Sequence, residues 1–470
     1  MTAEALDRRR ILVVISGLML VMLLASLDQT IVATALPTVV SDLGGIDRLS
    51  WVVTAYLLTA TVTIPLWGRA ADLYGRKRLF QAAIAVFLLG SALSGAAQTL
   101  GELIAFRGLQ GLGAGGLMTL AMTIVADLVP PRERGRYQGY IQMVFVLASV
   151  AGPLLGGVLS ELSWRWIFYV NLPIGALALT AIAATLTAPA RGEGPRPQVD
   201  YAGAGLLTAA LSCLLLVTTW GGRTYAWTSA ETLGLGAATV VLLGAFLAQE
   251  RRAPEPILPL RLFRDPVFSV ASATLFLAGC AFFAVIVFTP TFLQLATGAT
   301  PTESGLLLLP LLLSATATTA LSGRVISRTG RYKAFPVAGL ALMTAGLVLM
   351  SGLSAETSVL AVSLMLVVFG VGFGMFTQVL VVAVQNAADR RDIGIATAST
   401  NLFRALGGSI GVALFGSVFA ARLDDLAGRV PRPEAVAESL GTVFTVAAPI
   451  AALALLCVLA LREVPLRRAA

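Results

Sequence analysis

The sequence predicts an all-α membrane protein with fourteen transmembrane helices, and three observations carry that reading. Apolar runs of about 20 residues recur along the whole chain, the length a helix needs to cross a hydrocarbon core about 30 Å thick. Of the 470 residues, 57% are hydrophobic and only 12% are charged, about half the charged share of a soluble domain. The cationic residues gather on alternate connectors between the apolar runs. Backbone N–H and C=O groups cannot stay unpaired in hydrocarbon, so runs of this length become helices.

The first seven spans are read at about 11–36, 50–68, 79–98, 101–126, 138–160, 166–188 and 200–220. The remaining seven are read at about 229–249, 267–296, 303–324, 334–354, 357–386, 393–420 and 440–461. Arg8, Arg9 and Arg10 before the first run resemble the flank of a secretory leader. The run continues from Ile11 to about Leu36, too long for a leader's apolar segment, and lacks a small-residue cleavage site. It reads as a first span. With the N-terminus placed in the cytoplasm, 25 of the 33 Lys and Arg residues fall on cytoplasmic segments and 6 on outer ones. That asymmetry follows the positive-inside rule, and one span more or fewer would destroy it in the second half. The net charge of +8 is then topology, and nucleic acid is not an expected partner.

Composition also excludes chemistry. Cys213, Cys280 and Cys457 each lie inside an apolar run, without metal-ligand spacing, and read as small buried hydrophobes. Histidine is absent, which removes a Ser-His-Asp triad and the commonest proton shuttle. Proton chemistry must therefore use carboxylates. No G-x-x-x-x-G-K-[ST] phosphate loop occurs, so ATP drive is not supported, and no cofactor is expected.

The chain repeats itself. Gly68-Arg-Ala-Ala-Asp-Leu-Tyr-Gly-Arg-Lys-Arg78 follows the second span, and Gly323-Arg-Val-Ile-Ser-Arg-Thr-Gly-Arg-Tyr-Lys333 follows the tenth. Two related halves enclosing a substrate path are a common transporter design. The expected organisation is an N-terminal six-helix bundle over 1–188, two linker helices with their connectors over 189–265, and a C-terminal six-helix bundle over 266–470.

The first loop resembles the signature loop of the major facilitator superfamily, G-x-L-a-D-r-x-G-r-k, with Ala70 in place of the usual Leu. Leu27-Asp28-Gln29-Thr30-Ile31-Val32-Ala33-Thr34-Ala35-Leu36-Pro37 resembles the L-D-x-T-I-V-N-V-A-L-P motif of its fourteen-span drug:proton antiporters, with Ala33 and Thr34 departing from it. Arg107-Gly-Leu-Gln110-Gly111 is similar to the fourth-span R-x-x-Q-G motif. Gly139, Ala148, Gly152-Pro153 and Gly156-Gly157 resemble the fifth-span antiporter motif, with Ala148 where Gly is usual. Trp164-Arg-Trp-Ile-Phe-Tyr-Val-Asn171-Leu-Pro173-Ile-Gly175 is similar to a further stretch of that subfamily. The resemblance implies a major facilitator fold, two six-helix bundles plus two extra linker helices, and export driven by proton entry. It implies a multi-pass protein of the bacterial cytoplasmic membrane with both termini inside.

Asp28 is the principal candidate for proton coupling. It lies about 27 Å along the helix from Arg10, inside the membrane, where ionisable groups are costly and mark function. Removal from water favours a neutral carboxyl, which suits a group that trades protons or meets cationic cargo. The bland alternative is a carboxylate fixed by donors such as Gln29 or Thr30. Arg107 lies some six residues into the fourth span and is the candidate partner; a structural ion pair or a snorkelling side chain is the alternative. Gln110 shares its helix face. Asp72, Arg76 and Asp127 form the candidate cytoplasmic gate, which by the resemblance holds the halves together in the outward-facing state. Arg69, Lys77 and Arg78 read as topology charges.

Gly152, Pro153, Gly156 and Gly157 form a candidate hinge, or else ordinary tight helix packing. Candidate lining of a substrate cavity comprises Gln29, Gln110, Gln142, Phe283, Gln294, Asn401 and Arg404. The expected function is proton-coupled efflux of amphipathic or cationic drugs by a monomer whose other partners are membrane lipids. A dedicated exporter of one metabolite, antibiotic, siderophore or lipid fits the same motifs. A membrane enzyme lacks a catalytic constellation here, and a channel would not need a two-half repeat with gate-like loops.

Overall fold

The computed structural model describes residues 8–44, 50–186, 200–222 and 224–466. Outside them lie Arg48, Arg191, Arg196, Arg223, Arg467 and Arg468 and the expected segment boundary at 188; the side chains of Gln142 and Pro153 are also outside the description.

The first group of helices is α1 (Arg8–Leu43), α2 (Ser50–Tyr74), α3 (Arg76–Ala96), α4 (Leu100–Leu128), α5 (Pro131–Leu162), α6 (Trp166–Tyr169) and α7 (Asn171–Thr185). The pair α8 (Tyr201–Trp220) and α9 (Ala230–Glu250) follows. Then come α10 (Pro266–Leu295), α11 (Pro301–Leu306), α12 (Leu309–Thr329) and α13 (Ala334–Met350), and finally α14 (Val359–Ala387), α15 (Ile393–Leu426) and α16 (Arg432–Leu459). No strand occurs among the described residues.

Prolines explain why two expected spans are broken. Pro173 and Pro310 cannot donate to the carbonyls four residues back, those of Tyr169 and Leu306, and their rings crowd them. α6 ends at Tyr169 and α11 ends at Leu306. Carboxylates near span ends act as caps. Glu303 completes a capping box with Thr300, and Glu102 accepts from the Gln98 N–H at 2.8 Å.

Twelve described helices are long and apolar enough to cross a membrane. The expected fourteen is not reached for two physical reasons. α5 begins with Arg132, Glu133, Arg134 and Arg136 and bends by 44° between Met143–Ser149 and Leu154–Leu162, while α13 has only 17 residues. Large apolar side chains point outward all around, such as Leu162 (74% exposed) and Val240 (71%), as expected of a surface solvated by lipid tails.

The internal repeat extends into the packing. A Cβ on Gly111 of α4 would meet the Tyr56 carbonyl of α2, and one on Gly115 would meet the Ala60 carbonyl. In the second half, Gly370 and Gly374 of α14 stand in the same relation to the Leu311 and Ala315 carbonyls of α12. Both halves thus use a small-xxx-small face to bring backbones together. The repeated loops agree as well: Gly75 (φ 93°) and Gly330 (φ 72°) both take the positive φ that glycine tolerates. Gly111→Val or Gly370→Val should cost about 1–3 kcal/mol through overpacking, read as earlier thermal unfolding in detergent. Gly157→Ala should cost nothing, because Gly157 is exposed and open space surrounds it.

α1–α7 pack chiefly among themselves, as do α10–α16. The two groups meet where α5 lies along α12 and where α2 meets α15. α8 and α9 pair with each other, and α8 leans on both α2 and α15.

Candidate functional site

Arg107 and Gln110 are three residues apart on α4 and so share a face. That face meets Asp28 of α1. Arg107 Nη1 donates to Asp28 Oδ2 at 2.7 Å and to Gln110 Oε1 at 2.8 Å. Gln110 Nε2 donates to Asp28 Oδ1 at 2.8 Å, and Asn171 Nδ2 donates to the same oxygen at 2.9 Å. Asn171 also donates to Ser91 Oγ at 2.9 Å, and Ser91 donates to the Phe168 carbonyl at 2.9 Å. The Arg107 guanidinium lies over the Tyr56 ring at 4.1 Å and faces Phe168 at 5.7 Å. The Asp28 side chain is 0% exposed and that of Arg107 is 1% exposed, so the pair is out of water and held by charge-assisted bonds. The guanidinium of Arg107 and the amides of Gln110 and Asn171 together occupy both oxygens of the Asp28 carboxylate.

Asp72 lies 20 residues beyond Val52 on α2, about 30 Å along the helix. Arg107 reaches toward the Val52 carbonyl, so the two clusters sit at opposite ends of α2. Asp72 Oδ1 accepts from the Gly394 N–H at 3.0 Å and Oδ2 from the Ile395 N–H at 2.9 Å. These are free N–H groups at the N-terminus of α15, where the helix dipole also favours an anion. Arg76 Nη2 donates to Asp72 at 3.3 Å and pairs through Nη1 with Asp127. Among the described residues Ser327, the repeat's counterpart of Asp72, hydrogen-bonds back to Arg324 of its own helix and not across to the other half, so the contact is one-sided.

A second ring of charge adjoins this lock. Arg69 is buried, donates to Glu255 in the connector between α9 and α10, and lies 3.8 Å from Asp392. Asp392 is buried just before α15, accepts from Arg261 Nη2 at 3.0 Å and pairs with it as an ion pair at 2.8 Å. Arg69 is therefore more than the topology charge expected of it.

Between the two ends lies a cavity of about 330 Å³. Tyr56, Thr61 and Ile64 of α2, Gln29 of α1 and Phe145 of α5 line one side. Phe282 and Phe283 of α10, Thr316 of α12, Phe373 and Gln378 of α14, and Asn401 and Arg404 of α15 line the other. Of the expected lining, Gln29, Phe283, Asn401 and Arg404 face it. Gln110 belongs instead to the Asp28 cluster. Gln294 does not line it; near the end of α10, it donates to Ser304 Oγ at 2.8 Å. Asp28 and Arg107 lie behind the wall, beside its residues Gln29 and Tyr56.

Of the expected hinge, Gly152 is buried and a Cβ there would meet the Thr30 side chain; Thr30 Oγ1 in turn donates to the Ala148 carbonyl at 3.1 Å, tying α1 to α5. Gly156 is buried, but Gly157 is exposed and makes no close helix approach. Sequence reasoning assigned no role to Tyr56, Ser91, Asn171, Asp392, Glu255 or Arg261. Only Asn171 carried a signal, its place in the Trp164–Gly175 motif.

Comparison with known proteins agrees with this architecture. Residues 18–412 match the family model of the Major Facilitator Superfamily. The chain is 42% identical to an uncharacterized MFS-type transporter of Mycobacterium tuberculosis over 97% of this chain and 70% of that one. It is 36% identical to the multidrug transporter protein MdtP of Bacillus subtilis over 91% of this chain and 78% of that one. The fold is similar to the crystal structure of the human organic anion transporter MFSD10 (TM-score 0.66, 19% identity, 94% of this chain and 99% of that one). With an all-helical fold, a repeated pair of helix bundles and this match, the chain belongs to the Major Facilitator Superfamily of membrane transporters.

Proposed function

We propose that this transporter exports amphipathic compounds across the bacterial cytoplasmic membrane in exchange for protons. The observation that carries the reading is the Asp28–Arg107 pair, sealed from water at 2.7 Å, behind the Tyr56 and Gln29 wall of a drug-sized cavity. The proton is the coupling ion, and no cofactor takes part. α1–α7 and α10–α16 act as the two rocking halves, with α8 and α9 as linker helices between them. If bent α5 and short α13 both cross the bilayer, the spans number fourteen, both termini lie in the cytoplasm, and the Asp72 end is the cytoplasmic gate. Asp72 bonded to the start of α15 then describes a conformation closed toward the cytoplasm. The multidrug name of the Bacillus relative supports an efflux role.

The test is transport in proteoliposomes of the full chain. A pH gradient should drive cargo against its own gradient, and a protonophore should stop it. Accumulation that ignores the protonophore would contradict proton coupling. For the gate, Asp72→Asn removes the charge but keeps the shape, weakening two charge-assisted bonds to α15. Turnover should fall severalfold while the cargo dissociation constant stays unchanged; unchanged turnover would remove Asp72 from the gate.

A further inference from the structure

We infer that the cavity selects amphipaths with an anionic head, an aromatic or apolar body carrying a carboxylate, sulfonate or phosphate, and that Arg404 recognises the head. The inference rests on reading the cavity as the cargo site and specifies what enters it.

Arg404 is the only charged side chain among the residues lining the cavity. Among the described residues its guanidinium has no hydrogen-bond, ion-pair or aromatic-ring partner, in contrast to Arg107, which has all three kinds. An arginine keeps its charge, and this half-buried one, without a partner among the described residues, can offer it to a ligand. Its five N–H donors form a fork that fits a carboxylate or phosphate bidentately. The Asp28–Arg107 pair behind Tyr56 is neutral as a unit, so the cavity carries a net positive charge.

The helices are built to present this group. Gly279 of α10 lies against the Arg404 backbone, where a Cβ would come within 2.5 Å of the carbonyl oxygen. One turn on, Gly408 leaves the space that the Phe283 ring fills beside the cavity. One turn back, Asn401 offers its amide on the same face, bonded only weakly to Met122 Sδ at 3.6 Å. Thr119 Oγ1 and Gln378 Oε1, from the α4 and α14 walls, are buried and lack hydrogen-bond partners among the described residues. Phe282 stacks on Phe373 at 4.0 Å and supplies an apolar surface for the body of the ligand. One cation, two underused donors on Asn401 and Thr119, and an aromatic floor describe an anion-headed amphipath rather than a cationic drug.

An anionic cargo and a proton on Asp28 attract each other, so exchange requires the two to occupy different conformations. The present structure, closed at Asp72 with Arg107 on Asp28, is one of them.

The experiment measures equilibrium binding to the full chain in nanodiscs, corrected for empty discs, with three matched probes: 4-(pyren-1-yl)butyrate, its primary amide and pyrenebutylamine. The acid should bind about tenfold or more tighter than the amide, the size of one charge-assisted hydrogen bond, and the amine should bind most weakly. Arg404→Gln should abolish the preference by weakening the acid far more than the amide, and Arg404→Lys should keep part of it. Equal binding of acid and amide, preference for the amine, or a preference that survives Arg404→Gln would overturn the inference. If Arg404→Gln does not fold, the wild-type ranking and Arg404→Lys still decide. The assay contains no proton gradient, so failure of proton-driven export leaves the ranking intact, and loss of the ranking leaves export intact.

Discussion

Asp28→Asn should abolish cargo accumulation driven by a pH gradient while leaving cargo-for-cargo exchange running. Asn keeps the size of the side chain and can still accept from Gln110 and Asn171, which hold Oδ1 at 2.8 and 2.9 Å. It cannot take up and release a proton. The cavity and the Asp72 lock do not include Asp28, so rocking of the halves should persist. Gradient-driven accumulation should fall to the background of empty vesicles, while counterflow of labelled cargo persists. Loss of both activities would point to a structural role, the reading in which Asp28 is merely pinned by neighbouring donors. Retention of both would remove Asp28 from coupling.

Arg107→Ala should be the most destabilising single change at the site, by about 3–5 kcal/mol, because it strands a buried carboxylate. With the Arg107 side chain 1% exposed and that of Asp28 0% exposed, water cannot replace the lost partner. The substitution also removes the cation over Tyr56 and leaves Gln110 Oε1 without its donor. Adding Asp28→Asn should recover a large part of the loss, since the stranded charge is then gone. Thermal unfolding of the two single variants and the double variant in the same detergent measures this coupling. Strict additivity would show that the pair does not interact as the distances indicate.

How far such a site can be read from the sequence depends on which contacts are local. An acid deep in an apolar run stands out in Asp28, and the i, i+3 spacing places Arg107 and Gln110 on one face. Tyr56 and Asn171 complete the cluster from α2 and α7, and nothing in their local spacing shows that tertiary packing brings them to Arg107 and Asp28. The ring of Arg69, Glu255, Arg261 and Asp392 joins residues from α2, the connector after α9 and the start of α15. Each of its members, taken alone, looks like a surface charge at a span end. Gln294 shows the converse, a polar residue in an apolar run that reads as cavity lining yet bonds Ser304 across a turn. The helix breaks after Tyr169 and Leu306 follow from Pro173 and Pro310, but an apolar run hides them because hydropathy does not register a missing N–H. α5 is the hardest element to read, since a polar first third and a bend share one long helix.

The most direct measurement imposes a cargo gradient on proteoliposomes with equal pH on both sides and follows internal pH. Wild-type protein should move protons opposite to the cargo and build a pH difference. Asp28→Asn should build none, although labelled cargo still exchanges. Proton movement in the same direction as the cargo, or a pH difference as large in Asp28→Asn as in wild type, would contradict exchange through this carboxylate.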